Sequence, residues 1–213
     1  MNVPVLIIEV ICLLASITLF FQASIPRYLK TFPFFMLITH IVEITGWLLR
    51  KETLTVNLLY CFFTAFEFVY YLWIIKYIIF NQKVKKVIFW VLLVYPVLVF
   101  INIFFIQPRK FHSTTYSLGC LLVVAACIYY FFEIFRSTNS VNLVKEPAFW
   151  ICTGLLFFYC CTFPMFGVWN LLPGLPDIIL KNLGTILTLL NYILYSLFSI
   201  AFLCRLKLKR SVQ

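Results

Sequence analysis

Apolar residues run through this chain in blocks too long and too evenly apolar for the one-sided faces of a soluble fold. Seven blocks reach the length that a helix rising ~1.5 Å per residue needs to cross about 30 Å of hydrocarbon. They cover roughly 3–22, 30–49, 54–80, 87–107, 114–135, 147–170 and 178–204. The pattern predicts an all-α polytopic membrane protein of seven transmembrane helices, forming one membrane domain over 1–213. The first block has no positive residue before it and no small-residue cleavage site after it, so it reads as a retained helix rather than a removable signal. Loops are short; the most polar is STNSVNLVKE at 137–146, and LLPGLPD at 171–177 makes a rigid turn.

Polar positions inside the blocks single out the third helix. Asn57, Tyr60, Thr64, Glu67 and Tyr71 follow one another at alternating three- and four-residue steps, which puts them on one stripe facing other helices. The seventh helix carries a comparable stripe of Lys181, Thr185, Thr188, Asn191 and Tyr195.

Charge then orients the bundle. The chain holds 17 Lys and Arg against 7 Asp and Glu, a formal net charge of +10. In a soluble protein that balance would suggest nucleic acid, but here the basic residues sit between apolar blocks and no nucleic-acid partner is expected. With the N-terminus outside, eleven basic residues fall inside: Arg27, Lys30, Lys83, Lys85, Lys86, Arg136, Lys145, Arg205, Lys207, Lys209 and Arg210. Five fall outside, namely Arg50, Lys51, Arg109, Lys110 and Lys181, while Lys76 snorkels inward. The positive-inside rule therefore gives N-out, C-in. Trp47 and Trp169 near outer ends, and Trp90 and Trp150 near inner ends, fit aromatic belts.

The cysteines and histidines exclude more than they suggest. All eight cysteines lie inside apolar blocks and read as small core residues. Two histidines, His40 and His112, cannot make a three-histidine zinc centre, and no GxSxG, HExxH or Walker sequence occurs. The expectation is a non-enzyme without cofactor or metal. Lys181 lies near a helix start, whereas a retinal-binding lysine would stand mid-helix, where Asn191 is found instead.

An offset of 124 residues lays the third helix on the seventh, with Thr64 on Thr188, Glu67 on Asn191 and Tyr71 on Tyr195; an offset of 125 brings Asn57 onto Asn182. Helices 1–3 and 5–7 can thus form parallel triplets, 1–82 and 112–210, joined by helix 4 at 87–107. In this respect SVNLVKEPAFW and KNLGTILTLLNYILY, with Asn57 and Asn182 as paired asparagines, resemble SWEET-type sugar transporters. The chain departs from that family in lacking a Pro-Gln motif after the first helix, having only Gln22 and Pro26 apart. FWICTGLLFFYCCTF at 149–163 and LNYILYSLFSIAFLC at 190–204 resemble an uncharacterised group of bacterial seven-helix proteins and the membrane regions of bacterial sensor kinases. That second resemblance fits the sequence order better and implies a bacterial inner-membrane sensor.

A charged group at mid-bilayer costs about 3 kcal/mol on insertion scales, so such groups face a cavity or a partner. Glu9, Lys181, Lys76 and Glu133 lie towards interfaces, where water solvates them. His40 and Glu43, three residues apart on one helix face, can meet Glu67 at mid-depth. The expected ligand-binding set is Glu67, Glu43, His40, Asn191, Asn57, Asn182, Thr64, Thr188, Tyr71 and Tyr195, with Asn191 facing Glu67. It would take a cationic or hydroxyl-rich small ligand or a proton; the bland alternative is an interhelical hydrogen-bond network of uncharged acids. The leading function is a receptor or sensor that passes its state to a separate cytoplasmic or membrane partner. The alternative is a small-solute transporter, and either can work as a homo-oligomer in the bilayer.

Overall fold

A computed structural model describes residues 3–21, 25–108, 111–136, 142–167 and 176–204. These residues fold entirely into helices and connections: α1 (Val3–Ile17), α2 (Phe32–Leu48), α3 (Thr53–Ile78), α4 (Gln82–Ile101), α5 (Ser113–Arg136), α6 (Pro147–Gly167) and α7 (Asp177–Leu203). Short tight turns extend α1 over Thr18–Phe21 and precede α2 at Leu29–Thr31, and α4 runs on as a widened π turn over Asn102–Ile106. Six segments are long and apolar enough to cross a membrane: Leu29–Leu48, Thr53–Ile78, Gln82–Ile106, Ser113–Arg136, Pro147–Gly167 and Lys181–Leu203. Val5–Phe21 is a shorter apolar helix. Trp169, Arg109, Lys110, the 171–175 part of the expected rigid turn and the basic residues from Arg205 to Arg210 lie outside the described residues.

Local chemistry sets the helix ends. Pro147 opens α6, where a missing N–H costs nothing and the fixed φ suits a helix. Asn81 caps α4 by accepting the Lys83 N–H at 2.9 Å. That cap starts α4 five residues before its apolar block, so Lys83, Lys85 and Lys86 are helical although they lie outside the hydrophobic pattern. Glu133, partly exposed near the interface as expected, also turns onto the chain: its two carboxylate oxygens accept the N–H groups of Phe80 and Asn81, each at 2.7 Å. The α3–α4 connection is thereby tied to the end of α5, with a negative group beside the N-terminus of α4. We expect Glu133→Ala to cost about 1–3 kcal/mol, and Glu133→Gln about half as much because an amide keeps one acceptor oxygen for two donors. Thermal unfolding in detergent measures both.

The helices close into a ring in which α1 packs on α2 and α7, α2 on α3, α3 on α5, α5 on α6 and α6 on α7. α4 sits outside that ring against α3 and, more lightly, α5, leaving Trp90, Val94 and Val97 exposed. Antiparallel neighbours bring like ends together. Arg27, Lys30, Lys83, Lys85, Lys86, Arg136 and Lys145 share one end, where Tyr28 meets Tyr77 and the Cys204 thiol reaches the Lys145 carbonyl. Arg50, Lys51 and Lys181 lie at the other.

Aromatic side chains fill the basic half of the ring. Phe32 touches the rings of Phe198 and Phe202, at 5.6 and 5.1 Å between centroids, and Phe35 stacks on Tyr70 at 4.1 Å. Tyr71 joins this layer through Phe198 and Tyr159. Rings at such edge and offset contacts add about 0.5–1.5 kcal/mol each beyond their buried area, and they seal this half of the bundle.

Candidate functional site

The other half is open. A cavity of about 570 Å³ lies within the ring, walled by α1, α2, α3, α5, α6 and α7; no lining residue comes from α4. Along α3 it extends from Val56 near the Arg50 end to Glu67, eleven residues on, or about 16 Å at ~1.5 Å per residue. That is half of a ~30 Å hydrocarbon core, so the floor stands at mid-depth.

Glu67 turns into this cavity, as its place on the α3 stripe predicts. Tyr71 and Tyr159 direct their hydroxyls at its carboxyl, although the Tyr159 hydroxyl closes no hydrogen bond in this arrangement. Glu43 lines the wall from α2 and accepts the Tyr60 hydroxyl at 3.3 Å. The third carboxyl was not in the expected set. Glu9, placed by the sequence reading near solvent, is only 4% exposed and lines the same cavity beside the Tyr195 hydroxyl. Each of the three acids thus has at least one tyrosine directed at it.

A depth count would have found Glu9. It stands six residues from the start of α1, and Glu43 five from the end of α2, so two adjacent antiparallel helices carry acids at one level. His40, expected in the ligand set, does not line the cavity. Its Nδ1 faces Glu9 Oε2 at 3.6 Å, too long for a hydrogen bond, and neither atom has another partner.

The remaining expected residues divide. Asn57, Thr64, Thr188, Asn191 and Tyr195 line the cavity, whereas Tyr71 is buried behind Glu67 and Asn182 is exposed away from it. Asn182 and Asn191 are nine residues apart, half a turn out of phase at 100° per residue, so they cannot share a face. Nor does Asn191 reach Glu67 through its amide: Nδ2 donates to the Leu187 carbonyl at 2.9 Å. Thr64 and Thr188 likewise donate to their own helix, at the Tyr60 and Gly184 carbonyls. In apolar surroundings a hydroxyl satisfied by the preceding turn costs least.

His112, which the sequence reading left without a role, is fully buried at the start of α5 and ties three helices together. Its Nε2 lies 2.8 Å from the Thr64 hydroxyl and its Nδ1 2.8 Å from that of Thr115, which also accepts Asn102 Nδ2 from the π turn of α4 at 2.9 Å. Burial pushes the His112 pKa down to about 4, so the ring is neutral at pH 7. This network holds the α3 wall, through Thr64, against α4 and α5.

Chemically, the site is an acceptor-rich floor under aromatic and aliphatic walls that include Trp47, Phe63 and Phe158. Among the described residues, no group of three or more His, Cys, Asp or Glu has an arrangement that could hold a metal ion. All eight cysteines are free thiols, five of them buried. Compared with models of known families, with curated proteins and with solved structures, the chain matches none.

Proposed function

We propose that the chain is a seven-helix receptor or sensor unit of a cell membrane, N-terminus outside and C-terminus inside, that receives a small ligand from the outer face and passes its state to a separate partner. The observation that carries this reading is the one-ended cavity, which starts at the Arg50 end, stops at Glu67 and is backed by the Tyr71–Phe198–Phe32 aromatic layer. The ring order, with α1–α3 beside α5–α7 and α4 outside, accommodates two triplets as well as one bundle, so the choice rests on the cavity having one open end.

The seventh span is α1 with its extension. Fifteen α-helical residues at ~1.5 Å and four tightly wound residues at ~2.0 Å reach about 30 Å. The clustering of basic side chains at the Lys83 end supports the orientation, because such residues favour the inner face. Those same residues offer a partner a positive surface. The bacterial inner membrane is the setting implied by the resemblance of 149–163 and 190–204 to sensor regions. A small-solute transporter on the SWEET plan is the alternative, and Asn182, facing away from the cavity, weakens its paired-asparagine element.

Cysteine accessibility separates the two without a known ligand. With Cys160, Cys161 and Cys204 replaced by Ala, an impermeant thiosulfonate on intact cells is expected to modify Lys51→Cys and Glu67→Cys but not Lys85→Cys. In inside-out vesicles only Lys85→Cys should react. Modification of Glu67→Cys from both sides would establish alternating access and sink the receptor reading, and an exchange of the Lys51→Cys and Lys85→Cys patterns would invert the topology.

A further inference from the structure

The cavity shows a consistent polarity of hydrogen bonding. The Tyr60 hydroxyl donates to Glu43, Asn191 donates to Leu187 and Thr64 donates to Tyr60, so these three donors around the carboxyls are taken up within the protein. Oxygen acceptors remain, foremost those of Glu9, Glu43 and Glu67. Glu9 is the sharpest case: 4% exposed, on the cavity wall, with Oε2 making no hydrogen bond beyond a loose 3.6 Å approach to His40 Nδ1. Leaving an acceptor buried and unpaired is costly, and a ligand donor removes that cost.

Charge points the same way. Three carboxyls lie close enough to act on one another electrostatically. Facing them are His40, which stops 3.6 Å short of Glu9, and Arg50 at the mouth. Arg50 is seven residues beyond Glu43 on α2, about 10 Å away at ~1.5 Å per residue, with its guanidinium 5.4 Å from the centre of the Trp47 ring. Three carboxyls against the single imidazole of His40 make the inner part of the site predominantly acidic, while Arg50 lies at the rim. A cavity of about 570 Å³ is far larger than a bare ion and lies within the range of small-organic-molecule sites. Its ring faces attract cations and pack apolar groups equally well.

We propose that this cavity takes an organic ammonium ion, its N–H groups on the carboxyls of Glu9, Glu43 and Glu67 and its apolar body against the ring-lined wall towards the mouth. An ammonium carries donors and no acceptor, which complements a floor of acceptors, and its charge is compensated at close range. The inference rests on the receptor reading only for the side from which the ligand enters.

The test uses three probes of one shape on the purified, full-length protein in detergent: 2-phenylethylammonium, 2-phenylethanol and phenylacetate. The ammonium ion is expected to raise the unfolding temperature saturably, with an apparent affinity at least tenfold above that of the alcohol, and phenylacetate to have no effect. Glu43→Gln should weaken the ammonium at least tenfold while leaving the alcohol unchanged. Equal affinity for alcohol and ammonium, preference for phenylacetate, or binding of none of the three would overturn the proposal. Because the probe series is read on the unaltered protein, a poorly folding variant does not blunt the result. Failure here leaves the one-sided labelling of Glu67→Cys intact, whereas two-sided labelling would sink the receptor reading even with the ammonium bound.

Discussion

Gly119→Ala should lower stability by about 1–3 kcal/mol, and larger replacements should prevent a folded bundle from accumulating. At Gly119 on α5, side chains of α3 and α4 crowd the backbone together. A Cβ there would stand 2.7 Å from Phe68 Cδ2 and 2.7 Å from the Tyr95 hydroxyl. Neither can retreat cheaply. The Phe68 ring is completely buried, with Tyr116 and Tyr159 at 5.1 and 5.0 Å, and the Tyr95 hydroxyl donates to the Thr115 carbonyl. Pushing Phe68 also moves Tyr159, which faces Glu67, so ligand affinity should fall along with stability. Gly184→Ala is the matched control: its Cβ meets nothing within 4 Å, and the gain in helix propensity should leave the unfolding temperature equal or slightly higher. Equal losses at both positions in detergent thermal unfolding would show that the α3–α4–α5 junction is looser than this packing.

What was legible in the sequence follows from which constraint acts through lipid and which acts through neighbours. Bilayer thickness imposes a length and an apolarity on a spanning helix, and for that reason six of the apolar blocks fall on helices long enough to cross, while the first falls on the shorter apolar helix Val5–Phe21. The same reasoning missed the first turn of α4, since Asn81 and Glu133 hold Lys83 to Lys86 in a helix by capping, which hydropathy does not register. The α3 stripe identified the interior face, because an acid in a long apolar helix must turn from lipid. It could not say what each polar group does there. Threonines on the stripe bond their own backbone or, with Thr64, also His112, and only the fold brings residues 64 and 112 together. Glu9 was misjudged by treating depth one helix at a time. Asn182 entered the set through a repeat offset that ignored helical phase.

Glu67→Leu and Glu67→Gln are the second pair of large expected effects, and they should part company. Glutamine keeps the shape of the side chain and one acceptor oxygen, so Tyr71 retains a partner and stability should stay within about 0.5 kcal/mol of the original. Leucine removes the acceptor. Tyr71 is 1% exposed, and with its hydroxyl left unpaired in the aromatic layer the protein should lose about 1–3 kcal/mol. Asn191, expected from sequence to be the residue stranded by this change, is spared because its Nδ2 already donates to the Leu187 carbonyl and its side chain borders the open cavity. Both variants should bind 2-phenylethylammonium at least tenfold more weakly, since a charge-assisted hydrogen bond contributes about 1.5–3 kcal/mol and ~1.4 kcal/mol is a factor of ten. The diagnostic comparison is Glu67→Leu with Tyr71→Phe: once the hydroxyl is gone, leucine should cost little, and the double variant should recover most of the stability lost in the single one. If Tyr71→Phe gives no such recovery, the Tyr71 hydroxyl does not depend on Glu67, and the floor of the cavity is held by packing alone.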